Sequence, residues 1–307
     1  MSSRQWAAMM TGDESYAGSS SFERFRQTVG DLTGMEHVIP THQGRSAEAL
    51  LCRALLKPGQ RVLGNTQFDT TRANIESNGG ISIDLPCRES ANSQATFPFK
   101  GNVDLISLRS ALKENHRDIA FFVMTVTNNG IGGQPVSLEN IRQARRILNE
   151  YSIPLFIDAA RFAENAYFIK LREDGQQSRS VGAIARDMFA NADGVLMSAK
   201  KDAFANIGGF LALNDGRLAE TVRQHMVITE GFPTYGGLAG RDLEAIATGL
   251  DEIQDEDYLA YRLRSVEYFG RGLEQAGFKV VNPIGGHAVY VDARASVPHL
   301  PPAHFPA

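Results

Sequence analysis

Only two cysteines, Cys52 and Cys87, occur in the 307 residues. That is too few for a disulfide framework, and they lack the paired spacing of a zinc motif. Long apolar runs are absent as well. The stretch Ile119 to Val126 is far short of the ~20 residues that cross a bilayer. Neither sign of charge dominates, because 31 Lys and Arg face 35 Asp and Glu for a net charge of −4. Such a chain has no general attraction for nucleic acid or an anionic membrane. No unit repeats along the sequence, which sets solenoids and propellers aside. No basic-then-apolar leader follows Met1, so the expectation is a cytoplasmic protein. What is present is ordinary globular material: 43% hydrophobic and 21% charged residues, enough to build a sizeable core. The length allows about two domains or one large α/β domain.

The middle of the chain alternates apolar runs with amphipathic stretches. Residues 119–126, rich in aromatic and β-branched side chains, read as a strand buried on both faces. A helix is expected over 137–148, with Leu138, Ile141, Ala144, Ile147 and Leu148 on one face and Ser137 placed as N-cap. Strands follow at 153–157, 194–197 and 209–213, with a helix over 181–190 between the first two. Alternation of this kind predicts a mostly parallel sheet covered by helices. Ligands of such sheets lie outside the carboxyl ends of the strands. Asn128 and Asn129, Asp158 to Arg161, and Ser198 to Asp202 are therefore the places to look for chemistry. Residues 241–276 carry helical spacing in Leu243, Ile246, Leu250 and Ile253 and again from Tyr258 to Leu273, as core or subunit-contact helices would. Residues 279–281 and 288–292 read as strands of a new, second sheet.

Three features converge on one kind of site. Lys200 and Lys201 come directly after a buried strand and Ser198. A lysine pair is commonly a solvated loop feature, but one in a ligand crevice can be desolvated and can condense with an aldehyde cofactor. Asp158 ends another strand. It could be a helix N-cap, or it could pair with the protonated ring nitrogen of pyridoxal phosphate, with Arg161 close enough in sequence to reach the ring's phenolic oxygen. Gln43-Gly44-Arg45 precedes a helical stretch, a pattern that frees backbone amides and a guanidinium for a phosphate. Ser198 could add a hydroxyl there. Phe68 could stack on a ring or simply be core. Gly130 to Gly133 lacks the strand and helix context of a dinucleotide fingerprint.

Several segments, taken together and in order, resemble the β-eliminating lyases, the family of tryptophanase and tyrosine phenol-lyase. They are Gly12 to Ser19, Pro40 to Arg45, Lys100 to Leu105, Gly132 to Ser137, Arg161 to Lys170, Met197 to Asp202, Glu230 to Leu238 and Gly285 to His287. The resemblance implies an α/β fold of the PLP-dependent aspartate-aminotransferase type (fold type I). Residues 1–240 would form the large PLP-binding domain, 241–276 interdomain or core helices, and 277–307 the start of a smaller domain that the chain does not complete. The family begins upstream of Met1 and continues beyond Ala307.

By the same resemblance Lys201 is the Schiff-base lysine, Lys200 orders the site, and Asp158 partners the pyridinium. Arg161 and Asn129 lie near the phenolic oxygen and the substrate carboxylate. Gln43, Gly44, Arg45 and Ser198 cradle the phosphate, and Phe68 stacks on the ring. Tyr16 is a general acid toward the leaving group, reaching the site of a neighbouring subunit in a homodimer or homotetramer. Glu14 and Asn206 match ligands of a monovalent cation, usually potassium. The implied reaction expels the aromatic group of an amino acid and leaves pyruvate and ammonium. Asp69 points toward tryptophan as substrate, whereas Leu56 to Gln60 and Gly237 to Asp242 look more like the phenol-lyases. A cofactor-binding chain without lyase activity, or another pyridoxal reaction on amino acids, are the alternatives.

Overall fold

The computed structural model describes residues 1–14 and 16–304. The chain opens with α1 (Ser3–Met9) and α2 (Ser20–Thr33), followed by β1 (His37–Thr41), α3 (Gly44–Leu55), β2 (Arg61–Gly64), α4 (Asp69–Ser77) and β3 (Ile81–Asp84). The central alternation follows as α5 (Leu105–Asn115), β4 (Ile119–Thr125), α6 (Leu138–Asn149), β5 (Leu155–Asp158), α7 (Phe162–Arg172), α8 (Val181–Phe189) and β6 (Gly194–Ser198). After β7 (Gly209–Leu213) come α9 (Gly216–Thr229), α10 (Gly240–Glu252), α11 (Glu256–Gln275) and the short α12 (Ala293–Ser296).

One seven-stranded sheet of order β1-β7-β6-β5-β4-β2-β3 organises the molecule. Strand β7 runs antiparallel to both neighbours, and the remaining pairs are parallel. Both faces of the sheet are covered, as parallel strands require. Alternation along β4 shows how. Phe121 and Val123 join Ile39, Leu50, Leu51, Phe156 and Leu211 on the face covered by α3 and α9. Phe122 and Met124 join Phe25, Leu138, Ile141, Ile157 and Phe162 on the opposite face, covered by α2, α6, α7, α8 and α10. The helix caps follow the local sequence. Ser137 accepts from Asn140 N–H at the start of α6, Ser180 from Ala183 N–H at α8, and Asp255 from Tyr258 N–H at α11.

The four strands expected in the middle of the chain are present, and the fourth reverses direction. The loop between β6 and β7 therefore leaves and re-enters the sheet at the same end of its strands, which leaves Lys200 and Lys201 at the carboxyl end of β6. Helices α10 and α11 fall where the apolar spacing put them. Residues 279–281 and 288–292 do not become strands of a second sheet: they form a single antiparallel bridge, Val280 to Val291, with Val281 N–H donating to Tyr290 O and Asp292 N–H to Lys279 O. Pro283, Gly285 and Gly286 bend the intervening chain onto the main body instead. No helix among the described residues is long and apolar enough to cross a membrane.

Phe156 is fully buried and meets Phe121 edge-on, with centroids 5.6 Å apart. Phe156→Ala is expected to lower unfolding stability by about 3–5 kcal/mol, through lost burial and the cavity left behind. A urea midpoint shift at constant slope is the measurement.

Candidate active site

A cleft of about 610 Å³ opens at the carboxyl ends of β4, β5 and β6. Gln43, Gly44, Arg45, Phe68, Asn129, Asp158, Arg161, Ser198, Lys200 and Lys201 all line it, so every cofactor position expected from sequence is gathered there. Residues brought in from more than 150 positions apart meet because each stands at a strand end or at the helix start that follows one.

The Gln43–Arg45 turn is the N-terminus of α3. Gln43 occupies the N-cap without a side-chain capping bond, so the helix presents N–H groups and its positive dipole end to the cleft. Gly44 makes this possible: a Cβ there would come within 2.6 Å of Ser198 Cβ. Gly209 helps from beneath, since a Cβ on it would lie 2.4 Å from Met197 O and 2.8 Å from Gly44 N. The turn is also held from outside. His42 Nδ1 lies 2.5 Å from Glu230 Oε2, and His42 N–H donates to the same oxygen at 3.1 Å.

On the opposite wall, Asp158 and Thr125 face each other in register on β5 and β4. Asp158 Oδ1 accepts from Ala160 N–H at 3.1 Å. Burial raises the Asp158 carboxyl above its ordinary value, opposed by that hydrogen bond and by the charges of Lys201 and Arg161. The Lys201 amine is lowered by desolvation, with Asp158 opposing and Arg161 and Lys200 reinforcing. A lysine so depressed is more readily available as a nucleophile and base. Thr125 Oγ1 is buried with no hydrogen-bond partner in a residue lining the cleft. That orphan hydroxyl, the open α3 terminus and the Lys201–Asp158 pair fit a flat, phosphorylated heterocyclic aldehyde.

The loop carrying Lys201 is braced by ionic contacts beneath it. Asp202 is fully buried and accepts from Ala163 N–H at 2.9 Å and Glu164 N–H at 3.1 Å, which caps α7. Arg262 of α11 spans Asp202 Oδ1 at 2.9 Å and Glu164 Oε2 at 2.7 Å. Glu164 Oε1 also accepts from Thr127 Oγ1 at 2.7 Å and lies 2.9 Å from His287 Nδ1. Burial works to raise the Glu164 carboxyl, but the His287 hydrogen bond and the charges of His287 and Arg262 outweigh it and hold it low.

The other expected residues are not in this cleft. Asp69 is the first residue of α4, beside Phe68, and points to solvent. Tyr16 is 73% exposed and lines a second cleft with Glu14, Thr234 and Tyr235. Its ring stands edge-on to Phe232 at 5.4 Å. Asn206 is exposed in the β6–β7 loop and lines neither cleft.

Conversely, sequence reasoning passed over Glu48, Thr70, Thr125 and Thr127, all of which line the main cleft. Thr125 and Thr127 belong to the same strand-end rule that found Asn129. Glu48 stands one helical turn beyond Gly44, in the helical stretch expected to follow the Gln43 to Arg45 turn. It accepts from Thr70 Oγ1 at 3.1 Å and from Asn74 Nδ2 at 3.2 Å. Desolvation first, and the charge of Asp158 second, push the Glu48 carboxyl up to about 7.

An acid raised in the folded state binds its proton more tightly than in the unfolded chain. The stabilisation from that proton is complete below the ordinary glutamate range and is lost as pH climbs through 7. Glu48→Gln cannot ionise, so it is expected to gain about 3 kcal/mol on the native chain between about pH 4 and about pH 8. Denaturant titrations of both proteins across that range check this, and parallel curves would refute it.

Comparison with known proteins agrees with the geometry. Residues 1–300 match the family model described as Beta-eliminating lyase. The chain is 55% identical over 307 residues to the tryptophanase of Salinibacter ruber, covering all of this chain and 65% of that protein. It is 48% identical over 308 residues to the tyrosine phenol-lyase of Symbiobacterium thermophilum, covering all of this chain and 67% of that one. The chain thus spans about two thirds of the length of these relatives. A solved structure of SPT with PLP superposes with a TM-score of 0.65 at 16% identity, over 95% of this chain and 69% of that one. The architecture is that of fold type I, and the chain belongs to the β-eliminating lyase family.

Proposed function

We propose that the chain binds pyridoxal phosphate in the cleft between α3 and the ends of β4, β5 and β6, and serves a β-elimination on an aromatic amino acid. The observation that carries this reading is that the Lys201 amine and the Asp158 carboxyl line one cleft of about 610 Å³, with a helix N-terminus at the same opening. Bound there, the cofactor supplies an electron sink that lets an amino acid lose its α-proton.

The chain's own groups have the following parts. Lys201 Nζ would hold the aldehyde until the amine of the substrate displaces it, and the freed amine would then take the α-proton, a task suited to its lowered pKa. Asp158 accepts the ring nitrogen's hydrogen bond and keeps that nitrogen protonated. The Gly44 and Arg45 N–H groups, the Gln43 amide, the Arg45 guanidinium and Ser198 Oγ hold the phosphate. Phe68 and Lys200 also line the cleft; Phe68 would stack on the ring, and Lys200 would add positive charge beside Lys201. Arg161 and Asn129 offer donors to the phenolic oxygen and the substrate carboxylate. Asp69, which faces solvent beside Phe68, is assigned to the substrate on the family resemblance alone.

Protonation of the departing aromatic carbon is assigned to Tyr16. Its exposure in a separate cleft supports a shared site, with Tyr16 of one copy serving the cleft of another in a homodimer or homotetramer. Potassium at Glu14 and Asn206 belongs to the same assembly and is supported by the family match alone. Residues 277–307 are assigned to a smaller second domain on the same ground. Tryptophan and tyrosine both remain open as substrates, with indole or phenol, pyruvate and ammonium as products.

Titration of the protein with pyridoxal phosphate is expected to give a visible absorbance band that borohydride fixes covalently at Lys201 and that Lys201→Ala abolishes. Tryptophan or tyrosine should then yield indole or phenol with pyruvate. A stable visible band with no product from either amino acid would favour a cofactor-binding chain without lyase activity. Absence of the band would overturn the cofactor reading itself. Tyr16→Phe should keep the band and cut product formation about 100-fold or more, in the range of a lost general acid.

A further inference from the structure

Lys100 is the one lysine or arginine among the described residues that is fully buried. Its Nζ lies 2.7 Å from Asn92 O and 2.7 Å from Asn282 O, with Ala95 O at 3.3 Å and Ser93 O at 3.4 Å. All four partners are backbone oxygens, and none is a carboxylate. Desolvation accordingly lowers the amine below the ordinary lysine value. A buried ammonium without a counter-charge is costly, and it is tolerated only where its protons are all taken up. Here the carbonyls come from two places far apart in sequence, the 92–95 loop and residue 282. Neither can move away without leaving the charge unsolvated.

Around this cage the same two segments are stitched further. Asn282 N–H donates to Ser93 O at 2.7 Å, Gln94 Nε2 to Val280 O at 2.9 Å, and Ser93 Oγ to Asp292 Oδ2 at 2.6 Å. The strap of residues 280–290 then passes over the turn that follows β4. Gln134 Nε2 donates to Pro283 O at 2.6 Å. Gly285 packs so closely that a Cβ would lie 2.7 Å from Gly132 O. At its far end the strap reaches the cleft: His287 Nε2 lies 2.9 Å from Asn129 Oδ1, and Tyr290 Oη donates to the same oxygen at 2.6 Å. With Oδ1 taken by both strap residues, Asn129 has its Nδ2 donor left for the cleft it lines.

We propose that Lys100 is a positioning residue for the cleft: its caged ammonium fastens the 280–290 strap, and the strap fixes the side-chain amide of Asn129. This does not depend on which cofactor or substrate the cleft takes. It assigns the Lys100 segment, which the family resemblance marks but the proposed reaction does not use, to setting a hydrogen-bond donor on the far side of the 130–133 turn.

Hydrogen exchange and side-chain amide NMR of the full chain test it. In Lys100→Met the amides of 279–292 are expected to exchange about tenfold faster or more, while those of the central strands keep their protection. The Asn129 side-chain amide signals, assigned by their loss in Asn129→Asp, should shift or broaden. Lys100→Ala leaves a cage of the shape and polarity for a small primary ammonium. Added propylammonium should restore slow exchange in the strap and the native Asn129 signals, and propanol should not. The proposal is overturned by unchanged strap exchange in Lys100→Met, or by a loosened strap with native Asn129 signals. It is also overturned if propanol rescues as well as propylammonium, or if Lys100→Ala stays unfolded or loosened in the amine.

Discussion

Two carboxylates with no exposed surface, Glu164 and Asp202, share the guanidinium of Arg262, and much of the site's geometry hangs from that contact. Breaking a buried pair on one side leaves an uncompensated charge, so such a cluster holds its elements in one arrangement. Asp202 follows Lys201 and caps α7, whose first residues follow Asp158 and Arg161. Glu164 reaches Thr127 on the β4 side and His287 on the strap. Arg262 brings in α11. The residue that precedes Asp202, the helix that starts beside Asp158, and the segment over Asn129 are therefore set by the same few charges.

The chemistry sits above this brace. Strand ends deliver Asp158, Thr125 and Ser198, and a helix N-terminus free of a side-chain cap faces them across the cleft. Opposed pKa displacements follow from that placement. Burial raises the Asp158 and Glu48 carboxyls and lowers the Lys201 amine, so three groups whose charged forms burial disfavours occupy the same small space. Groups displaced toward neutrality are suited to moving protons near pH 7.

Much of the central fold could be read directly because buried parallel strands and amphipathic helices have distinct periods. Ile119–Thr125, Leu155–Asp158 and α6 are examples. Strands β1, β2 and β3 escaped notice because they are only four or five residues long and mix His37, Arg61, Ser82 and Asp84 with their apolar positions. The 279–292 segment was misread for the opposite reason. Its Val and Tyr alternation suits a strand, but Lys100 and Gln134 draw the Asn282 and Pro283 carbonyls onto the main body, and a single bridge is left. Glu48 was overlooked because an acid in an amphipathic helix ordinarily faces water. Nothing local shows that Thr70 and Asn74 of another helix close over it.

By itself, the sequence determined the parallel core and pointed to the strand ends, with the lysine pair, Asp158 and the Gln43 to Arg45 turn as candidate residues there. Each of those depends on local periodicity or on residues next to a strand terminus. Only the tertiary structure decided that β7 runs backward to hold the Lys201 loop against α3. The same is true of the placement of Tyr16 in a separate cleft and of the meeting of Lys100 with Asn282. These are contacts between segments far apart in the chain, set by shape and by where buried charge can be solvated, and no short stretch of residues encodes them.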